Sequence, residues 1–187
     1  MLEAAAHEFA EQGVEAATIE GIAKRAGTSV GSIYQFFPNK LALYEALGDA
    51  YLAECRALFD ALVSEDTVAP GTPWRQVMRA TIDAFAELHR SSVTFRAIAS
   101  NIVYSRRFLD AGQALNRELA ERAEVVFKQI AKNVPPARRR LMATVVIEAL
   151  SALLLLAFDK SGPQSKALMS EAKDLVERYL EPYFEAL

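Results

Sequence analysis

What this chain of 187 residues has little of narrows it first. Its one cysteine, Cys55, rules out an internal disulfide. Its two histidines, His7 and His89, lie far apart, so no spacing suits a metal and none is expected. There is no paired nucleophile and base and no glycine-rich phosphate loop, so catalysis and a bound cofactor are not expected. With 8 glycines and 7 prolines, the chain is neither collagen-like nor low-complexity. Alternating β-branched runs closed by Asn-Gly or Asp-Gly turns are missing, which argues against strands. The longest apolar run, 145–158, is interrupted by Glu148 and falls short of the roughly 20 residues that cross a bilayer. Glu3 and Glu8 stand where a secretory signal would carry basic residues, so a soluble, cytoplasmic protein with no membrane partner is expected.

What is present is apolar and helical. Hydrophobic residues make up 52% of the chain, enough to build one domain or two small ones, and 21 basic against 24 acidic residues leave a charge of −3. Breakers fall at Gly13, Gly27-Thr28, Phe37-Pro38-Asn39, Pro70 to Pro73, Pro135-Pro136 and Ser161 to Pro163. Between them, apolar residues recur at helical spacing, which predicts an all-α chain of about nine helices. The first, with Leu2, Ala5 and Phe9 on one face, should stop at Gly13. Thr18 should cap the second and Ser29 the third, whose Val30, Ile33 and Phe37 face inward. A fourth runs from Asn39 to about Val63, before a loop over 64–72. Trp74, Val77, Met78, Thr81, Phe85 and Leu88 phase a fifth. A sixth spans Phe95 to Tyr104, a seventh starts near Arg106, an eighth covers about Pro136 to Asp159 and a ninth Gln164 to Leu187. The eighth is apolar nearly all round and needs cover on two sides.

Three short helices with a glycine turn before the third match a helix-turn-helix, whose third element enters the DNA major groove. The outward side of that element shows Thr28, Ser29, Ser32 and Gln35, small and polar, and Gly31 lets a duplex come close. Gln35 suits an adenine edge. Lys40 opens the fourth helix against the macrodipole, a conflict that a phosphate would relieve, and the turn capped by Thr18 offers amides to an anion.

The run TIEGIAKRAGTSVGSIYQFFPNK over 18–40 resembles the DNA-binding domain of the tetracycline-repressor-like (TetR) family of bacterial regulators, with similarity over about 2 to 47. The resemblance implies a helix-turn-helix DNA-binding domain over 1–47 and an effector-binding and dimerisation domain over 48–187. Thr28, Ser29, Gly31, Ser32, Tyr34 and Gln35 would face DNA, with Thr18 and Lys40 on phosphates. Phe36 departs from the His or Tyr common there, and no basic arm precedes the first helix. The implied function is ligand-responsive repression: a homodimer binds a palindromic double-stranded operator, and a small apolar or amphipathic effector releases it. Residues 1–47 carry Glu3, Glu8, Glu11, Glu15, Glu20 and Glu45 against Lys24, Arg25 and Lys40, so the reader is acidic by three charges and the remainder neutral. That balance predicts weak non-specific affinity and keeps one alternative open, a helical protein-interaction module with a degenerate reader.

Beyond about residue 50 the resemblance fades. Polar residues set among apolar ones, His89, Arg96, Asn101, Tyr104 and Glu148, with Phe59 and Phe85 as walls, are the candidates for an effector pocket, and Trp74 for plain core. Val145, Leu153, Leu168, Leu175 and Tyr179, on the eighth and ninth helices, are the candidates for dimerisation. Arg79 and Asp83, four apart, should form a solvated pair.

Overall fold

The computed structural model describes residues 1–64, 73–101, 104–158, 160 and 162–185. Among them there are nine helices and no strand: α1 (Leu2–Ala16), α2 (Ile19–Arg25), α3 (Val30–Phe36), α4 (Lys40–Leu62), α5 (Trp74–Ser91), α6 (Val93–Ala99), α7 (Arg106–Ile130), α8 (Pro136–Phe158) and α9 (Gly162–Phe184). Most of the expected loop over 64–72, and the expected ends at Asp159 and Leu187, lie outside the described residues.

Five helices start on a side-chain cap that accepts the amide three residues on. Gly21 N donates to Thr18 Oγ1 at 3.0 Å, Ser32 N to Ser29 Oγ at 3.0 Å and Ala42 N to Asn39 Oδ1 at 2.8 Å. Phe95 N donates to Ser92 Oγ at 3.1 Å and Phe108 N to Ser105 Oγ at 3.2 Å. The Ser92 cap starts α6 earlier than the apolar pattern suggested. The expected stop at Gly13 is a bend instead: α1 continues to Ala16 through Gly13 at φ 77°, ψ 157°.

The chain divides into two compact units, each built from two stretches of sequence. One comprises Met1–Glu54 with Arg90–Gln113, the other Cys55–His89 with Ala114–Leu187. The core of the first gathers Phe9, Ile22, Ile33, Leu43, Tyr44 and Leu47, all essentially without exposure. Tyr44 is its hub. Its ring meets those of Phe9, Tyr104 and Phe108 edge-on at 6.2, 5.3 and 6.4 Å, and its hydroxyl donates to the carbonyls of Ile98 at 3.3 Å and Asn101 at 2.8 Å.

In the second unit, Ile82 of α5, Leu154 and Ala157 of α8 and Met169 and Ala172 of α9 form one cluster, with Phe85, Leu153 and Leu168 packed against it. Arg79 does not pair with Asp83. It reaches Asp174 at 2.9 Å and Glu177, both on α9, while Asp83 accepts from Lys173 at 2.5 Å. Arg56 grips Glu118 with Nε and Nη2, at 2.9 to 3.1 Å, and ties α4 to α7. The helix α8 is long and apolar enough by composition to cross a bilayer, longer than the run counted from sequence. Its Met142, Ala143, Val146, Ile147 and Leu154 are buried, as in an inner helix of a helical domain.

Candidate nucleic-acid interface and ligand cavity

The helix pair α2 and α3 is joined by a turn that only glycine makes cheaply. Gly27 stands at φ 63°, and Thr28 N returns to the carbonyl of Ala23 at 3.0 Å, closing the end of α2. The buried side of α3 is Ile33, with Val30 and Phe37 half-buried. Ser29, Gly31, Tyr34, Gln35 and Phe36 are exposed, and Thr28 and Ser32 half-buried. The hydroxyls of Ser29 and Ser32 share a hydrogen bond of 2.9 Å, which orients both before any duplex arrives. At 100° per residue, Thr28, Gly31, Ser32 and Gln35 form the strip opposite Ile33, flanked by Tyr34 on one side and Phe36 on the other. Phe36 is 68% exposed, an unusual state for that side chain.

The cations near this strip are largely engaged. Arg25 donates to Glu8 at 3.2 Å through Nε and to both oxygens of Glu11 through its amino groups, so Glu8, only 5% exposed, is a paired buried carboxylate. Lys40 Nζ donates to the carbonyls of Glu15 and Ala17, each at 2.8 Å. Its conflict with the α4 macrodipole is thus met by the carbonyl end of α1, a favourable place for a cation, and one N–H is left for a phosphate. Thr18 accepts from Gly21, so its hydroxyl proton is free to be donated outward.

The expected effector residues are divided between the two units. A cavity of about 80 Å³ lies inside the second unit, walled by Phe59 of α4, by Trp74, Val77, Met78 and Ile82 of α5, by Phe127 of α7, by Val146 and Leu150 of α8 and by Leu180 and Phe184 of α9, among others. Of the seven candidates only Phe59 lines it. Phe85 packs into the neighbouring cluster, and His89 is buried, its pKa pushed down to about 4 by loss of solvent. Glu148 is exposed on α8 and accepts from Asn116 at 3.1 Å. Arg96, Asn101 and Tyr104 belong to the first unit: Arg96 is exposed, Tyr104 packs on Tyr44, and the Asn101 amide is committed to backbone. Trp74, assigned to plain core, is a wall of the cavity and meets Phe184 edge-on at 5.0 Å. Thr81, the one hydroxyl among the described residues of the wall, is spent on the Val77 carbonyl at 2.9 Å, so these residues offer a guest almost nothing polar.

Of the dimerisation candidates, Val145 and Leu175 are exposed, joined by Leu141 and Leu156 on α8. Leu153 and Leu168 turn partly into their own core, and Tyr179 is half-buried beside Tyr183.

Comparison with known proteins adds the lineage. The family described as bacterial regulatory proteins, tetR family, matches residues 1–47, and the tetracyclin repressor-like C-terminal domain matches 73–180. The HTH-type transcriptional activator FasR of Mycolicibacterium smegmatis is 36% identical over 104 residues, 54% of this chain and 44% of that protein. An uncharacterized HTH-type transcriptional regulator of Bacillus subtilis, YhgD, is 29% identical over 91 residues, 49% of this chain and 45% of that protein. The matched stretches thus span less than half of each relative. Among solved structures, a TetR-family regulator from Pectobacterium atrosepticum superposes with a TM-score of 0.72 at 18% identity, covering 98% of this chain and 91% of that one. One from Streptomyces coelicolor gives 0.64 at 24%, over 97% and 96%. AibR, solved with isovaleryl coenzyme A and operator DNA, gives 0.62 at 19%, over 94% and 95%. At these identities the likeness is one of fold.

Proposed function

This chain belongs to the TetR family of bacterial, DNA-binding transcriptional regulators, and from that premise we propose that it is a cytoplasmic, ligand-responsive repressor that binds a palindromic operator as a homodimer. The observation that carries the DNA-reading part is the exposed strip of α3, polar and small, on the second of two capped helices. Gln35 at its centre reads a base edge, Ser29, Ser32 and Thr28 bond bases or phosphates, Gly31 admits the groove floor, and Tyr34, Thr18 and Lys40 meet the backbone. Two such readers, one helical turn of DNA apart, need a symmetric dimer, for which Val145 and Leu175 with Leu141 and Leu156 offer apolar surface on α8 and α9. Leu153, Leu168 and Tyr179 are half-buried on the same two helices.

The effector reading moves from the seven sequence candidates to the apolar cavity, with Phe59 retained. Phe59 sits on α4, the helix whose first residues pack behind the reader, so one helix carries both a cavity wall and the exit from the DNA-binding domain. To lower operator occupancy tenfold, an effector must favour the form that does not bind DNA by about 1.4 kcal/mol. A second reading, activation, is favoured by the name of the FasR relative. Transcription from a template carrying the operator separates the two.

Substitution of Gln35 by Ala tests the base-reading assignment. Against the duplex that the wild type selects, Q35A is expected to lose about tenfold in specific affinity and to relax preference at one base position of each half-site. An unchanged preference would take Gln35 out of the reading.

A further inference from the structure

The bend in α1 is held from outside the helix. Gly13 at φ 77°, ψ 157° occupies a region that side chains avoid, and there the regular ladder of α1 is broken. The amide of Val14, just past the bend, donates to Oδ1 of Asn101 at 3.2 Å, a residue 87 positions on. Asn101 is fixed in turn: its Nδ2 donates to the carbonyl of Ala97 at 3.0 Å, and its own carbonyl accepts from the Tyr44 hydroxyl at 2.8 Å. Past the bend, the carbonyls of Glu15 and Ala17 hold Lys40, and Thr18 starts α2. The direction given to 14–17 is therefore passed directly to the pair of helices that carries the exposed strip.

Resting on the DNA-binding reading above, we propose that Asn101 is a positioning residue for operator binding: its amide oxygen stands in for the helical acceptor that the bend removes, and so sets the angle at which α2 and α3 leave α1. Asn101 touches no DNA in this account. Without its oxygen the Val14 amide has no acceptor and the bend samples other angles. Only the fraction of molecules with the reader correctly aimed then binds, and the observed affinity falls by that fraction.

The test compares wild type, Asn101→Ala and Asn101→Asp on the duplex that the wild type enriches from a random pool, well below each protein's melting temperature. Val14 amide exchange is measured in parallel. Asp keeps an acceptor oxygen for the Val14 amide, loses the donor to Ala97 and sets a carboxylate oxygen against that carbonyl, a cost expected in the melting temperature rather than in the Val14 bond. N101A is expected to lose about tenfold in affinity with faster Val14 exchange, and N101D to stay within about threefold of wild type with Val14 still protected. If N101A melts too low to assay, Asn101→Gln, which displaces the amide by one methylene, replaces it in the comparison with N101D and is expected to lose affinity likewise. Wild-type affinity in N101A, or equal losses in N101A and N101D that follow a lowered melting temperature, would overturn the proposal. A wild type that enriches no duplex would overturn the DNA-binding reading itself, and the proposal with it.

Discussion

The ring of Phe108 lies against the bare backbone of Gly48: a Cβ at that position would stand 2.5 Å from Cδ2 and 3.0 Å from Cε2. The ring has little freedom to yield, because Tyr44 meets it edge-on and Phe108 is buried. Within the first unit, the close approach of α4 and α7 thus depends on a residue with no side chain.

Gly48→Ala should therefore destabilise the protein by about 1–3 kcal/mol, the usual cost of overpacking. The direction is informative because alanine is the better helix former by roughly 1 kcal/mol and, in an open site, would stabilise. A urea or thermal melt decides it. A variant as stable as wild type would mean that the two helices part without cost.

The binding of DNA should depend only weakly on salt. Arg25 is engaged by Glu8 and Glu11 and Lys40 by two carbonyls, which leaves Lys24 as the cation of residues 1–47 with no such bond. The slope of log affinity against log salt should fall well below that of about ten neutralised phosphates per dimer. A slope that steep would exceed the six cations that two readers carry and would contradict the prediction.

The cavity should accept small neutral apolar molecules and reject charged ones, since nothing in its wall pairs a charge. Toluene is expected to raise the melting temperature and benzoate to leave it unchanged. Ala123→Leu, which places three more carbons in the wall, should abolish the toluene shift and itself stabilise by about 1 kcal/mol. Equal shifts with toluene and benzoate would contradict the apolar assignment.

Stability should fall on mild acidification because of His89. Its folded pKa of about 4 lies below the ordinary 6.5, so the neutral form is the one that folds, and the contribution is complete above pH 6.5. As pH falls from 6.5 towards 4, the unfolded chain takes up a proton that the folded one refuses, costing up to about 3 kcal/mol. His89→Asn should flatten the pH dependence of the urea midpoint over that interval relative to wild type. Parallel curves for the two proteins would remove His89 as the cause.

Where local chemistry decides a feature, the sequence was a good guide. Thr18 and Ser29 cap the helices they were expected to cap, and Gly27 makes the turn before α3. The breaker at 37–39 separates α3 from α4, while Pro136, Gly162 and Pro163 fall in the first turns of α8 and α9. What depends on partners remote in sequence was not visible. Gly13 read as a stop because Asn101, whose side chain accepts from the Val14 amide just past the bend, is 87 residues from Val14. Arg79 read as the partner of Asp83 because the carboxylates that take it are on α9. The cavity stayed hidden for another reason: residues such as Trp74, Met78 and Leu150 show the same apolar periodicity whether they meet a neighbour or a void, so the search for polar markers led to Asn101 and Glu148 instead.

Selection of duplexes from a random DNA pool, followed by gel shift of the enriched sequence, tests the central claim most directly. The account predicts a palindrome whose half-sites lie about one helical turn apart, bound by two copies of the chain. A folded protein that enriches no duplex would contradict it and would favour an acidic helical module that binds another protein.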